Sequence, residues 1–216
     1  MNTCFIFGAL PCEIKEKPVG DDYVIAADKG FLCCKANGIT PDLVIGDFDS
    51  LGSIPDGENT EVHPKRKDDT DSMLALKAGM EKGYKRFIFY GCIGGLTDHT
   101  IANIQLTVFA AKNCAAAYMY DENRCITSLY NSSIVFIEDC KGRISVFALD
   151  GTAYDVTESG LSYEIENATI HGDFPLGVSN EFTGKQAQIT VKNGTLTLIF
   201  DGTASQTEVK YEKHKY

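Results

Sequence analysis

The chain has 216 residues, a formal net charge of −10 and a pI near 4.8. So acidic a surface excludes nucleic acid and anionic membrane as partners, because both are held through basic patches. No run approaches the roughly 18 apolar residues of a membrane span, and the start of the chain has neither the basic flank nor the long apolar region of a signal peptide, so the expected location is cytoplasmic.

In chain order, apolar runs at 5–7, 23–27, 43–45, 87–90 and 115–120 read as strands. They alternate with helical patterns, the signature of βαβ units and a mainly parallel sheet. Met73, Leu74, Leu76 and Met80 recur near helical spacing, which predicts a helix over 70–82 with Thr70 as N-cap and Gly83 as stop. A second helix is predicted over 98–112, capped by Asp98, with Ile101, Ile104 and Val108 on one face and His99 and Asn103 on another. After residue 121 the helical period fades, and β-prone runs recur at 133–137, 143–148, 188–191 and 195–200. Lys192-Asn193-Gly194-Thr195 predicts a hairpin between the last two. The expected fold is an α/β N-terminal domain with a mainly parallel sheet over 1–121, followed by an all-β sandwich over 122–216.

Eight cysteines, at 4, 12, 33, 34, 92, 114, 125 and 140, contain no CxxC pair and no zinc-like spacing with histidine. They read as reduced, semi-buried small apolar residues.

The chemistry concentrates in aspartates. Asp47 and Asp49 follow the run Leu43-Val44-Ile45, so a parallel strand there delivers both carboxylates to its carboxyl end, where open α/β sheets bind ligands. Asp68 and Asp71, with Lys67 beside them, add a second acidic segment before the next strand. Such hard oxygen donors suit Mg²⁺, which takes one or two carboxylates and completes its shell with water and phosphate. Asp-x-Asp alone is as often a solvated turn, and Asp71 alone is a favoured first-turn acid. Asp28 stands just past another strand with Gly30 close behind, where an ordinary N-cap is the competing reading. Gly91-Cys92-Ile93-Gly94-Gly95 leads from a strand into a helix, where backbone approaches phosphate closely, although no Walker A lysine follows.

Taken together, Ala27-Asp28-Lys29-Gly30, the segment from Pro41 to Ser50, Lys67-Asp68-Asp69-Thr70-Asp71 and Gly94-Gly95-Leu96-Thr97-Asp98-His99 resemble the thiamine pyrophosphokinase family in order and spacing. Ser159-Gly160-Leu161-Ser162-Tyr163 and the run from Gly177 to Phe182 resemble that family's C-terminal motifs, so the likeness spans nearly the whole chain. The resemblance implies a homodimer with interfacial active sites that take ATP, Mg²⁺ and thiamine and yield thiamine diphosphate and AMP. It implies Asp47, Asp49 and Asp71 as metal and catalytic carboxylates, and Asp28, Lys67 and Asp68 near the polyphosphate with Gly30, Gly94 and Gly95. Asp98, His99 and Asn103 would line the substrate site, Asp98 facing thiamine. Ser179 and Asn180 would reach thiamine's pyrimidine across the dimer, and Tyr163 would stand where some relatives carry Trp. Asp71 is the expected general base.

Two features depart from the family pattern. Leu96 replaces the usual Arg after the paired glycines, removing a bidentate phosphate donor unless Lys29, Arg66 or Lys67 compensates. The chain also has no Trp, so any stacking on thiamine falls to Tyr or Phe. Alternatives are a haloacid-dehalogenase-like Mg-dependent phosphatase, whose Asp-x-Asp belongs on the first strand rather than the third, and a non-catalytic thiamine- or nucleotide-binding protein.

Overall fold

A computed structural model describes residues 2–48, 59–64 and 68–211. Two compact units emerge, one of Met1–Leu106 with Ala117–Glu122, the other of Thr107–Ala116 with Asn123–Tyr216.

The first unit is built on β1 (Cys4–Phe7), β2 (Tyr23–Ala27), α1 (Gly30–Ala36), β3 (Leu43–Gly46), β4 (Thr60–Val62), α2 (Asp71–Glu81), β5 (Arg86–Tyr90), α3 (Thr97–Lys112) as far as Leu106, and β6 (Ala116–Asp121) from Ala117. The sheet runs β6-β5-β1-β2-β3-β4. Its β5/β1, β1/β2, β2/β3 and β3/β4 pairings are all parallel. β1 and β3 are buried along their whole length, which is why they read as unbroken apolar runs with no alternation. The chain order reverses beside β1: β2, β3 and β4 are laid down on one side and β5 on the other.

Both expected helix signals of α2 are present. The Thr70 side chain accepts from Met73 N at 3.2 Å, a bond typically worth about 1 kcal/mol. At the other end Gly83, at φ +88, donates its N–H to Met80 O while Tyr84 N reaches Gly79 O, closing a Schellman stop. α3 differs from the expected pattern. Ile101 is 57 % exposed, whereas Leu106, Thr107, Ala110 and Ala111 are buried. The buried stripe thus passes through a threonine, which hydropathy alone does not mark as interior.

Between β1 and β2 the chain lacks regular structure but is pinned. Glu16 N donates to Tyr90 Oη at 2.7 Å, Tyr90 Oη donates to Glu16 O at 3.0 Å, and the Glu16 carboxylate takes Tyr120 Oη and Arg86. Tyr90 itself stacks between Phe7 and Tyr120.

The second unit contains β7 (Arg124–Phe136), β8 (Arg143–Phe147), β9 (Thr152–Ser159), β10 (Ile165–His171), β11 (Asn180–Glu181), β12 (Ala187–Asp201) and β13 (Thr207–Tyr211), with a 3₁₀ turn at Ala204–Gln206. Among the described residues the pairings of β7 to β13 with one another are antiparallel. β7 and β12 form its spine, pairing from Arg124/Asp201 to Phe136/Ala187.

The expected hairpin at Asn193-Gly194 does not form. β12 runs straight through it as one strand, and the two residues sit where the register against β7 shifts between Val191 and Thr195. The reason is that partners are available on both flanks. Before the shift β12 pairs with β9 through Asn193, and after it with β8 from Thr197 to Phe200. Gly194 N is met by Asn131 Oδ1 at 2.9 Å, so the irregularity is hydrogen-bonded on the β7 side too. Such an irregularity lets one strand change partner along its length. Phe136, from one half of the spine, meets Phe200, from the other, edge-on at 5.1 Å.

Gly194 has φ +114, and a β-carbon there would lie 2.7 Å from Thr152 O. Gly194→Ala is therefore expected to destabilise the protein by ~1–3 kcal/mol. The measurement is urea unfolding, where the midpoint should fall at unchanged slope.

Candidate active site

Ligands in open α/β sheets bind outside the strand carboxyl ends where the strand order reverses. A cleft of ≈ 710 Å³ lies there, among the ends of β1, β2, β3 and β5 and the starts of α2 and α3. That volume falls within the usual span of small-molecule sites, about 300–1,000 Å³.

Asp47 follows β3 directly and lines the cleft. The next residue, Phe48, has φ +56 and is buried, so the chain turns at once and anchors the acidic residue from below. Asp28, after β2, also lines the cleft in a left-handed conformation at φ +47, its N–H donating to Ile45 O. It is not the helix cap: the N-cap of α1 is Lys29, without a side-chain bond. Asp71 occupies the first turn of α2 and faces the same space, with Thr70 and Ser72. Asp98 and His99 enter from the first turn of α3, and Asn103 from the turn after. Asn103 Nδ2 donates to Cys92 O at 2.7 Å, which fastens α3 to the glycine loop. Thr100 Oγ1 holds Gly94 from both sides, accepting from its N–H and donating to its carbonyl.

Three sequence expectations land elsewhere. Asp68 is exposed and away from the cleft, and its neighbour Asp69 lines the wall instead, paired with Lys77 at 2.7 Å. Gly30 does not face the cleft. A β-carbon on it would fall 1.8 Å from Phe7 O, so it serves the contact of α1 with β1. Gly95 packs beneath Leu10, whose methyl would sit 3.3 Å from an added β-carbon. Asp49, Arg66 and Lys67 lie outside the described residues.

The wall carries Asp28, Asp47, Asp69, Asp71 and Asp98 against Lys29. Of the cations expected to replace the missing arginine, Lys29 is the one found there among the described residues, while Leu96 contributes a 66 % exposed apolar side chain at the rim. Cys92 also lines the cleft, but burial pushes its thiol up to about 12, against the pull of the Ser72 hydroxyl and the Gly8 backbone. It stays neutral, so it is no ready nucleophile. Missed by sequence reasoning were Leu10, Asp69 and Ser72. Only Asp69 carried a signal, being part of the same acidic segment as Asp68.

In the second unit, Tyr163 is 73 % exposed at the tip of the 160–164 turn and Ser179, at φ +63, is exposed beside β11. Asn180 is different. Its Oδ1 accepts from Tyr163 N and Glu181 N, and its Nδ2 donates to Tyr163 O at 2.7 Å and Glu158 Oε2 at 3.1 Å. The amide is fully engaged within the unit. Asn180 clamps the turn that presents Tyr163, and Glu158, 5 % exposed, holds Asn180.

Residues 19–119 match the model of the thiamin pyrophosphokinase catalytic domain, and residues 133–196 match that of the thiamin pyrophosphokinase vitamin B1 binding domain. The chain belongs to the thiamine pyrophosphokinase family. It is 28 % identical over 183 residues to thiamine pyrophosphokinase of Bacillus subtilis (strain 168), spanning 81 % of this chain and 85 % of that protein. The fold is that of crystal structures of thiamine pyrophosphokinase from Bacillus subtilis (TM-score 0.81, 24 % identity, 93 % of this chain and 99 % of that one) and Geobacillus thermodenitrificans (TM-score 0.79, 23 % identity, 94 % and 99 %). Thiamin pyrophosphokinase from Candida albicans shares it at 12 % identity, with a TM-score of 0.75 over 93 % of this chain and 89 % of that one. The cleft lies within the catalytic-domain match except for its Gly8-Ala9-Leu10 edge. The Glu158-Asn180-Tyr163 clamp lies within the vitamin B1 binding match. Among the described residues no helix is long and apolar enough to cross a membrane.

Burial pushes the Glu158 carboxyl above its ordinary 4.5, and the Asn180 bond only partly opposes it. The folded chain then keeps a proton that the unfolded chain loses, so this group's contribution is full below about pH 4.5 and is lost as pH rises through the raised folded value. Glu158→Gln keeps a carbonyl for Asn180 and cannot ionise. Its stability relative to wild type is expected to rise between about pH 4 and pH 7. Urea unfolding of both proteins across that range measures it, and parallel curves would refute the assignment.

Proposed function

We propose that the protein transfers a pyrophosphoryl group from ATP to the hydroxyl of thiamine, giving thiamine diphosphate and AMP. The observation carrying this reading is the acidic cleft at the reversal of strand order, in a chain whose two parts match the catalytic and vitamin B1 binding models of one kinase family.

The donor set in the cleft fits Mg²⁺. Asp47 and Asp71 both line it and offer hard oxygens from two different elements. Mg²⁺ takes one or two carboxylates and relies on phosphate and water for the rest. Asp47 and Asp71, with Asp49, would hold it, and it would supply positive charge against the polyphosphate oxygens. Lys29 and Lys67 offset further phosphate charge, and the amino ends of α2 and α3, whose dipoles favour negative charge, border the same cleft. Asp71 accepts the proton of the thiamine hydroxyl as the oxygen attacks the β-phosphorus. Asp98 and the remaining carboxylates attract the cationic thiazolium, so the same acidity that needs metal for one substrate favours the other.

In this reading the second unit is a β-sandwich that binds thiamine, with Tyr163 supplying the aromatic face and Ser179 a hydroxyl, in a homodimer whose sites are completed by the partner copy. Supporting it, Phe174, Leu176 and Val178 expose apolar side chains in the segment leading to Ser179. A second copy would cover such a run.

Asp47→Asn and Asp71→Asn are each expected to cut turnover by roughly 10²-fold or more while leaving the fold intact, because they remove charge at the reacting centre and no core packing. The assay is incubation with ATP, Mg²⁺ and thiamine followed by chromatography for thiamine diphosphate and AMP; wild-type rates in both variants would overturn the site. Mixing Asp47→Asn with Tyr163→Ala protomers, each crippled alone, should restore activity through heterodimers carrying one undamaged site. Confirmed heterodimers without recovery, or an active species that sediments as a monomer, would defeat the shared-site arrangement.

A further inference from the structure

Cys12 and Cys33 lie 21 residues apart in sequence, yet their sulfurs are 3.1 Å apart. Closing that gap to a disulfide requires the sulfurs to move together by only roughly 1 Å. Cys12 is half-buried and Cys33 is buried, so one thiol is open to a small reagent and the other waits behind it.

The two cysteines belong to two segments, the one after β1 and α1, each adjoined in the chain by residues that line the cleft. Cys12 closes the segment that starts with Gly8-Ala9-Leu10, in which Leu10 N donates to Gly91 O at 3.0 Å. Cys33 sits in α1, whose first turn is continuous with Asp28 and Lys29 through Phe31 N to Asp28 O and Leu32 N to Lys29 O. Nothing in the transfer reaction uses either thiol. Among the described residues no third ligand joins them to make a metal centre.

We infer that Cys12 and Cys33 are a redox-active dithiol, oxidised by a low-molecular-weight disulfide to an intramolecular bridge that ties the segment after β1 to α1. The Cys12 thiolate attacks one sulfur of the small disulfide and expels its other half as a thiol, leaving a mixed disulfide on Cys12. The Cys33 thiolate then attacks the Cys12 sulfur and expels the second half. Two cysteine thiols are oxidised to the bridge, their two protons pass to the two expelled thiolates, and one small disulfide is thereby reduced to two thiols. Burial and the bond from Cys33 push the Cys12 thiol up, so the thiolate is scarce at neutral pH and the exchange quickens as pH rises.

The test is incubation of the full chain with oxidised glutathione, alkylation of the remaining thiols, and peptide mapping by mass spectrometry. The expected product links the Cys12 and Cys33 peptides with loss of two hydrogens, reverts with dithiothreitol, and is absent from Cys12→Ser. Thermal melting of the oxidised protein should shift upward relative to the reduced one, with no shift in Cys12→Ser or Cys33→Ser. The exposed Cys114 reports that reagent was present. A stable glutathione adduct on Cys12, a bridge from Cys12 to another cysteine, or modification of Cys114 with Cys12 and Cys33 both free would each overturn the inference, as would a mapped bridge that leaves the melting temperature unchanged.

Discussion

The carboxyl end of β1 leaves no room for a β-carbon on its neighbours. One placed on Gly8 would lie 2.6 Å from Gly91 O, and one on Gly30 would lie 1.8 Å from Phe7 O. This crowding brings three backbone segments, after β1, after β2 and after β5, to one spot. The aspartates and the helix starts can then converge there without any of them being buried. Hydrogen bonds between Glu16 and Tyr90, whose ring stacks between Phe7 and Tyr120, hold the connecting segment in place.

Charge then decides what this space can hold. Five aspartates face one lysine among the described lining residues, and Leu96 adds an exposed apolar side chain. A polyphosphate entering such a wall meets repulsion unless counterions arrive with it, whereas a cationic ring meets attraction. In the proposed reaction such a wall would couple the two substrates, each bringing charge that the other needs.

Much of this was legible in the sequence. The buried parallel strands show as unbroken apolar runs, Thr70 and Gly83 mark the ends of α2, and Asp47 follows from the end of β3. Register within turns was not legible. Whether Asp68 or Asp69 faces the cleft depends on a rotation of the chain one residue before the helix cap, and both carry the same side chain. Gly30 was misjudged because a glycine that admits a ligand and one that admits a neighbouring backbone look identical in one dimension. Asn193-Gly194 is a strong local hairpin signal that lost to tertiary pairing: with β9 and β8 waiting on successive stretches of the same flank, extending the strand satisfied more backbone groups than turning would. Asn180 reads as a polar contact residue from its motif, yet its amide is consumed by the turn it braces.

The spine of β7 and β12 bears on how the second unit comes apart. Because β12 lends its first half to β9 and its second half to β8, neither flank can peel away without exposing hydrogen-bonding edges on a strand the other still needs. Local opening is confined to the margins, at β10, β11 and β13, and beyond them the unit has no intermediate stopping point. Amide exchange along β7 and β12 accordingly tracks global unfolding of that unit, and the turn carrying Tyr163, bridged to β11 through Asn180, inherits part of that rigidity.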